Sequence, residues 1–392
     1  MGSYLRHRDF LTINGANACY SAYQVLFLFV PAFLFRQGLK EGEIGLVMAL
    51  GVLVSVAIRP CVGFLVDRGR QLPFLVTGGF LAVLTTVPWI VGMALPGWHL
   101  YALRTAQGIA YGTFAGAAYG FVAATAPDGR KGEAMGLFGL SFFLPTAAGG
   151  YLAESLLSSH GYGALFRACA AAALGAALLP LVLSEPRRAA GLSPEKASSL
   201  LKREQTVVDA VGILFGMAYG TLYTFIPVLV AGRGEGKVST FVVLYALAVT
   251  AVRTAGQAIL TRRRRERLFL LACLLMAGGT AIVALPGGWA LAAAGVVTGT
   301  GHGLLFPTAA SILLDRSGMR QGGMAMALFS GGFDLGIVAG AAVMGYVVEG
   351  AGYGTAFLAA AALPACGAVL FLTQDPAFRR APAERKKGRR KE

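Results

Sequence analysis

An apolar stretch of about 20 residues recurs twelve times along this sequence, and no other feature constrains the fold as much. The approximate limits are 11–35, 43–66, 72–95, 98–124, 133–157, 163–184, 206–231, 238–261, 268–286, 288–314, 322–348 and 353–373. A helix of that length crosses roughly 30 Å of hydrocarbon with its backbone bonded internally. The stretches are too long for membrane strands and lack period-two alternation, so the expected fold is an all-α membrane protein with twelve transmembrane helices. Composition closes the alternatives. Of 392 residues, 56% are hydrophobic and only 14% charged, with mean hydropathy +0.65. An ordinary soluble domain carries about 25% charge, and a disordered chain has far less apolar surface. The first stretch follows Arg6, Arg8 and Asp9 at full length without a small-residue cleavage pattern, so we expect it to remain as a span. The five cysteines (Cys19, Cys61, Cys169, Cys273, Cys366) lie in apolar stretches without a CxxC pair, which argues against disulfides and zinc.

The formal net charge of +15 is compatible with nucleic acid or anionic lipid as a partner. Placement decides between them. Of 34 Lys and Arg residues, 26 fall in the N-terminal segment, alternate connectors and the C-terminal tail. Only Arg36, Lys40, Arg233 and Lys237 fall in the opposite connectors, and Arg59, Arg104, Arg167 and Arg253 lie within spans. This bias puts both termini in the cytoplasm and leaves no role for nucleic acid.

The two halves resemble each other. Gly132-Glu-Ala-Met-Gly-Leu-Phe138 aligns with Gly323-Met-Ala-Met-Ala-Leu-Phe329 at an offset of 191 residues. At the same offset Gly108 and Gly112 meet Gly299 and Gly303, and Gly161-Tyr-Gly163 meets Gly352-Tyr-Gly354. Arg59 and Arg253 pair at an offset of 194. We expect two six-helix repeats in parallel orientation, with a substrate path between them. The boundaries are 1–184 for the first bundle, 185–205 for a cytoplasmic linker, 206–375 for the second bundle and 376–392 for a basic cytoplasmic tail.

Three local patterns carry a family resemblance. The connector after the second span reads Gly63-Phe-Leu-Val-Asp67-Arg68-Gly69-Arg70, the fourth span carries Arg104-Thr-Ala-Gln107-Gly108, and the fifth carries Pro145-Thr-Ala-Ala-Gly149-Gly150. With these the chain resembles the major facilitator superfamily over essentially its whole length. The resemblance implies that Gly63, Asp67, Arg68 and Arg70 form a gate that latches the cytoplasmic ends in the outward-open state. The physics is a carboxylate near a positive helix N-terminus, here near Gly322, with arginines beside it. It further implies that the first, fourth, seventh and tenth spans line the cavity. Their candidate substrate contacts are Asn14, Asn17, Tyr20, Tyr23, Gln24, Gln107, Tyr111, Tyr219, Tyr223 and His302. Tyr20 and Gln24 share a helix face, as do Tyr219 and Tyr223.

The proton-coupling candidates are Asp334, Arg104 and His302. Asp334 lies about twelve residues into its span, hence roughly 18 Å along the axis and near the bilayer centre. An acid there costs at least about 2.5–3.5 kcal/mol to insert. It is either a proton carrier or a structural carboxylate held by a neighbouring arginine or by backbone amides. Arg104 is open to three roles: binding an anionic substrate, tuning a proton carrier, or pairing with Glu154 or Asp334. Arg59 and Arg253 read as snorkelling residues or gate partners. His302 reads as a proton relay or as a packing residue with one hydrogen bond. No second His or Cys stands at ligand spacing, so no metal is expected, and no cofactor either. Without a GxxxxGK[ST] loop or a hydrolytic constellation the chain is not expected to be an enzyme or an ATP-driven pump. The expectation is a monomeric, multi-pass secondary active transporter of the inner membrane. It would export a small amphipathic organic molecule by proton antiport, with membrane lipids as its other partner. The alternative is a proton symporter or uniporter for a sugar or organic anion.

Overall fold

The computed structural model describes residues 8–66, 70–92, 97–126, 131–186, 203–262, 265–317 and 322–375. Residues 187–202 of the expected linker and the tail 376–392 lie outside them. Among the described residues there is no strand. The helices are α1 (Arg8–Phe27), α2 (Val30–Arg36), α3 (Glu41–Val66), α4 (Gln71–Ile90), α5 (Trp98–Thr125), α6 (Lys131–Leu178), α7 (Arg203–Arg233), α8 (Val238–Arg262), α9 (Arg265–Ile282), α10 (Gly288–Ser317) and α11 (Gly322–Gln374). A 3-10 turn, Leu179–Val182, follows α6. Eight helical segments among the described residues are long and apolar enough to cross a membrane, α1 and α2 counting as one. The molecule is a multi-pass membrane protein.

Two of these helices are far longer than a bilayer is thick. The 48 residues of α6 and the 53 of α11 would extend about 72 and 80 Å if straight. Each is broken by a glycine at positive φ, Gly161 (φ 71) and Gly352 (φ 81). These are the glycines of the matched Gly-Tyr-Gly triplets, and a side chain would oppose that backbone conformation. The first span is broken differently. Leu28 and Phe29 form a turn before Pro31, which cannot donate to the Phe27 carbonyl one turn back. Pro227, by contrast, sits inside an unbroken α7.

Helices of each half of the chain pack mainly with one another: α1 on α6, α3 and α4 on α5, α7 on α11, and α8 and α9 on α10. Glycines set the approach. A Cβ added at Gly216 or Gly220 of α7 would strike the Phe333 or Ile337 carbonyl of α11, and one at Gly336 or Gly340 would strike the Ile213 or Met217 carbonyl of α7. The backbones are therefore in contact along this seam, as small residues permit in lipid. Gly108 of α5 abuts Gly51 and Val54 of α3, and Gly299 of α10 abuts Tyr245 and Ala248 of α8.

Two seams join the halves, α3 with α11 and α6 with α8, together with a smaller contact of α2 on α7. They close at one end. A Cβ at Gly42 would meet Glu349 Oε2 at 2.8 Å, one at Gly345 the Glu41 carbonyl at 2.6 Å, and one at Gly150 Val242 Cγ1 at 2.8 Å. Towards the other end the same helix faces stand free. Gly63 follows Arg59 by one turn, Gly331 precedes Asp334 by one, and Gly136 precedes Phe143 by two, yet a Cβ at any of the three would meet nothing within 4 Å. Open space thus lies beside both seams around these three glycines.

Candidate functional site

Each seam between the halves carries an arginine. On the α3–α11 seam, Arg59 Nη1 donates to Asp334 Oδ2, joining the two halves through an ion pair. The Arg59 guanidinium also lies 5.5 Å from the Tyr111 ring centroid. On the α6–α8 seam, Arg253 lies 4.6 Å from the Phe143 ring and 6.0 Å from that of Phe306. The two levels correspond in sequence: Arg253 aligns with Arg59, Phe143 with Asp334, and His302 with Tyr111. Each arginine sits against an aromatic ring, but among the described residues only Arg59 has an acid partner.

In the first half, Arg104 is buried between α5 and α3. Its Nη1 donates to Gln107 Oε1 at 2.9 Å and its Nε to the Val47 carbonyl at 3.3 Å. Gly51 leaves room for the guanidinium, since a Cβ there would lie 3.0 Å from Nη2. Gln107 Nε2 and the Tyr20 hydroxyl are buried without a hydrogen-bond partner. The Tyr20 ring stacks on Phe114 at 4.2 Å and faces Tyr111 at 6.1 Å.

In the second half, His302 is buried among Phe215, Tyr219, Tyr245, Phe306 and Phe333, with ring centroids 5.1–6.1 Å away. Its Nδ1 shares a hydrogen bond with the Tyr245 hydroxyl. Tyr219 and Tyr223 lie 4.4 Å apart.

The closed end carries a carboxylate on each seam. Glu154 of α6 accepts from the Ser239 N–H at the start of α8, 3.1 Å away. Glu349 of α11 pairs with Lys40 at 3.3 Å, just before the start of α3. Glu41 also accepts from the Tyr353 hydroxyl at 2.9 Å.

The expected site residues are therefore distributed unevenly. Arg104 meets Gln107, Tyr20 faces Tyr111, and Tyr219 lies against both Tyr223 and His302. Asn17 is instead used in helix packing, donating to Ser141 Oγ at 2.8 Å, and Asn14 bonds back to the Phe10 carbonyl at 2.7 Å. Gln24 is partly buried. Of the gate, Asp67 and Arg68 lie outside the described residues, Gly63 is partly buried on α3, and Arg70 is exposed at the start of α4. Arg104 does not pair with Glu154 or Asp334, because those acids are taken up by Ser239 and Arg59. Sequence reasoning missed three features. Tyr245 looks like an ordinary apolar-span tyrosine. Glu349 meets Lys40 across more than three hundred residues, a contact without local signal. The α7–α11 glycines do carry one, their four-residue spacing.

The family model described as Major Facilitator Superfamily matches residues 13–289 and 265–391. The lysosomal dipeptide transporter MFSD1 of Danio rerio is 28% identical over 188 residues, 46% of this chain and 40% of that protein, so the match spans less than half of the relative. Among solved structures, the nucleoside transporter NupG superposes with a TM-score of 0.77 at 14% identity, over 93% of this chain and 99% of that one. A bacterial homologue of the human lysosomal transporter Spinster, inward-facing and unoccupied, gives 0.75 at 13% identity, over 97% and 100%. The human organic anion transporter MFSD10 gives 0.65 at 16% identity, over 93% and 98%. At these identities the structural likeness is one of fold.

Proposed function

The chain belongs to the Major Facilitator Superfamily, a family of transporters, and from that premise we propose that it exports a small amphipathic organic molecule across the cell's inner membrane in exchange for protons, by alternating access. In this reading α6 and α11 each cross twice, turning at Gly161 and Gly352, and the less apolar α5 and α9 each cross once. That gives twelve crossings in two six-helix repeats, 1–184 and 206–375, joined by the linker 185–205 and followed by the tail 376–392. The matched contacts of Gly108 on α3 and Gly299 on α8 support the duplication. The Lys/Arg bias supports cytoplasmic termini. With that orientation the closed end faces outward, a crevice between the halves opens to the cytoplasm, and the conformation is inward-facing.

The observation that carries proton coupling is the Arg59–Asp334 pair, an ionisable bond between moving halves near mid-membrane. A proton on Asp334 removes the charge that holds Arg59, and loss of the proton restores it. Arg104 and His302 are secondary coupling candidates. Gly63, Asp67, Arg68 and Arg70 would latch the cytoplasmic ends in the opposite, outward-open state.

The test is flux in proteoliposomes carrying an imposed pH gradient, with labelled amphipathic compounds, dipeptides and nucleosides as probes. An antiporter accumulates its substrate in vesicles that are acid inside, and Asp334→Asn abolishes that response. Accumulation driven only by an acid exterior identifies symport and overturns export. Flux indifferent to either gradient, or retained gradient response in Asp334→Asn, overturns the coupling.

A further inference from the structure

Arg253 is a cation held by rings alone. Its guanidinium lies 4.6 Å from the Phe143 ring and 6.0 Å from that of Phe306. Among the described residues it makes no hydrogen bond and no ion pair, and its Nε is buried without a partner. A ring holds a guanidinium by its face, which leaves the N–H groups along the edge unused. Arg59, which aligns with it, is completed by Asp334; at the position aligned with that acid Arg253 has Phe143.

Open space begins at this side chain. On the face of α6 that carries Phe143, a Cβ at Gly139 would meet Arg253 Nη1 at 3.4 Å and nothing else within 4 Å. One at Gly136, a turn nearer the open end, would meet nothing. The space lies between the halves, as Tyr119 of α5 shows. Its ring packs on that of Phe138, the residue before Gly139, at 5.1 Å. Its hydroxyl is within electrostatic reach of Arg253 on one seam and of Arg59 and Asp334 on the other, yet the residue is 56% exposed. A side chain that senses both seams and is still exposed borders an opening between them. Arg59 and Asp334 balance each other there, so the positive charge of Arg253 is left over.

We infer that Arg253 and Tyr119 border a subsite for a single carboxylate, and that the transported molecule is an amphipathic monocarboxylate. This rests on the transport reading and narrows its substrate class. A planar guanidinium meets a carboxylate in a two-bond fork along its edge, the part the rings leave unused. The Tyr119 hydroxyl is a further donor on the same opening, and its exposed ring gives an apolar body a surface to lie on. One unbalanced cation suits one negative charge; a dianion would need a second. With Asp334 ionised, Arg59 is engaged and Arg253 remains the cation open to an anion. A guanidinium that faces open space and has no acid is completed most directly by a solute that brings one.

The experiment measures ligand-induced thermal stabilisation of the full chain in detergent. The probes are phenylpropanoate and hexanoate, each beside its primary amide. The subsite predicts stabilisation by the carboxylates and not by the amides. Arg253→Gln abolishes it, and Arg253→Lys, which keeps the charge and loses the fork, weakens it about tenfold. Gly136→Phe, which fills the open space without touching the guanidinium's ring contacts, weakens it by a similar factor. If Arg253→Gln fails to fold, Gly136→Phe and Arg253→Lys still decide. Equal stabilisation by acid and amide, no stabilisation by either acid, or undiminished affinity in Arg253→Lys and Gly136→Phe overturns the subsite. Stabilisation by phosphatidylglycerol that requires Arg253, with none by either acid, assigns the cation to a lipid headgroup and also overturns it. Gradient-driven flux of neutral amphipaths with no preference for carboxylates overturns the subsite and leaves transport standing. Carboxylate-selective stabilisation without flux supports the subsite and overturns transport.

Discussion

Neutralising the two carboxylates at the closed end, Glu154→Gln with Glu349→Gln, should release the halves there. Each acid reaches from one half to the start of a helix in the other, where unpaired N–H groups and the helix dipole favour negative charge. Such an arrangement contributes about 0.3–1 kcal/mol when exposed and up to about 2 kcal/mol when partly buried. Glu349 is 34% exposed and its partner Lys40 is 72% exposed, so that pair belongs near the lower end. Glu154 is partly buried and belongs higher. Taking about 1 kcal/mol for each, the double variant shifts the ratio of outward- to inward-facing molecules about thirtyfold, which raises a 1% outward population to roughly a quarter. Spin labels introduced by Trp98→Cys and Trp289→Cys report this. These are the first residue of α5 and the second of α10, at matched positions in the two halves, 72% and 60% exposed. Pulsed electron–electron distance measurements should show a longer component in the double variant and a smaller one in each single variant. Glu43→Gln, an exposed acid in the first turn of α3, is the control and should change nothing. An unchanged distance distribution in the double variant would refute a carboxylate latch, as would an equal shift in the control.

Two further outcomes are expected. Gly216→Val should prevent folding, because its side chain meets the Phe333 carbonyl across a seam with no slack; Gly331→Ala, with nothing within 4 Å, should leave expression and the melting temperature in detergent unchanged. Asp334→Asn alone should lower that melting temperature by leaving Arg59 uncompensated, an effect of a few kcal/mol for a buried pair and less here at 30% and 17% side-chain exposure; Arg59→Gln with Asp334→Asn should recover most of the loss.

The helices were readable because lipid makes them so: an apolar run of bilayer length has few alternatives. The expected limits 98–124 and 238–261 differ by a residue or less from α5 and α8. The Gly-Tyr-Gly triplets stand out as a matched pair in the sequence, and the structure gives them a physical task, the breaks within α6 and α11. The pairing of side chains across the halves was not readable. Arg59 and Asp334 stand 275 residues apart, and nothing local in either sequence neighbourhood selects the other. The same gap explains Arg104. Its motif marked it as special, yet only packing reveals that Glu154 and Asp334 are engaged elsewhere. The Asn17–Ser141 bond was unreadable for a related reason: a polar side chain in a span satisfies itself on a neighbouring helix as readily as on a solute.

On the proposed duplication, the two arginine levels show how such a scaffold can acquire direction. Arg59 and Arg253 occupy corresponding positions and both lie against aromatic rings, so the arginine is part of the shared frame. The positions facing them differ. Phe143 holds Arg253 through its ring face, an interaction no proton can switch off. Asp334 holds Arg59 through a charge that a proton cancels. If both seams carried phenylalanine, the contact between halves at this level would not respond to protons at all. If both carried aspartate, two protons would be needed to loosen one crevice, and two buried acids would have to be paid for in insertion cost. Under the proposed coupling, one acid on one seam gives a single proton control over that contact, while the Arg253–Phe143 contact on the other seam does not respond to it. On the proposed reading, coupling therefore depends on the halves being alike in backbone and unlike at this one facing pair.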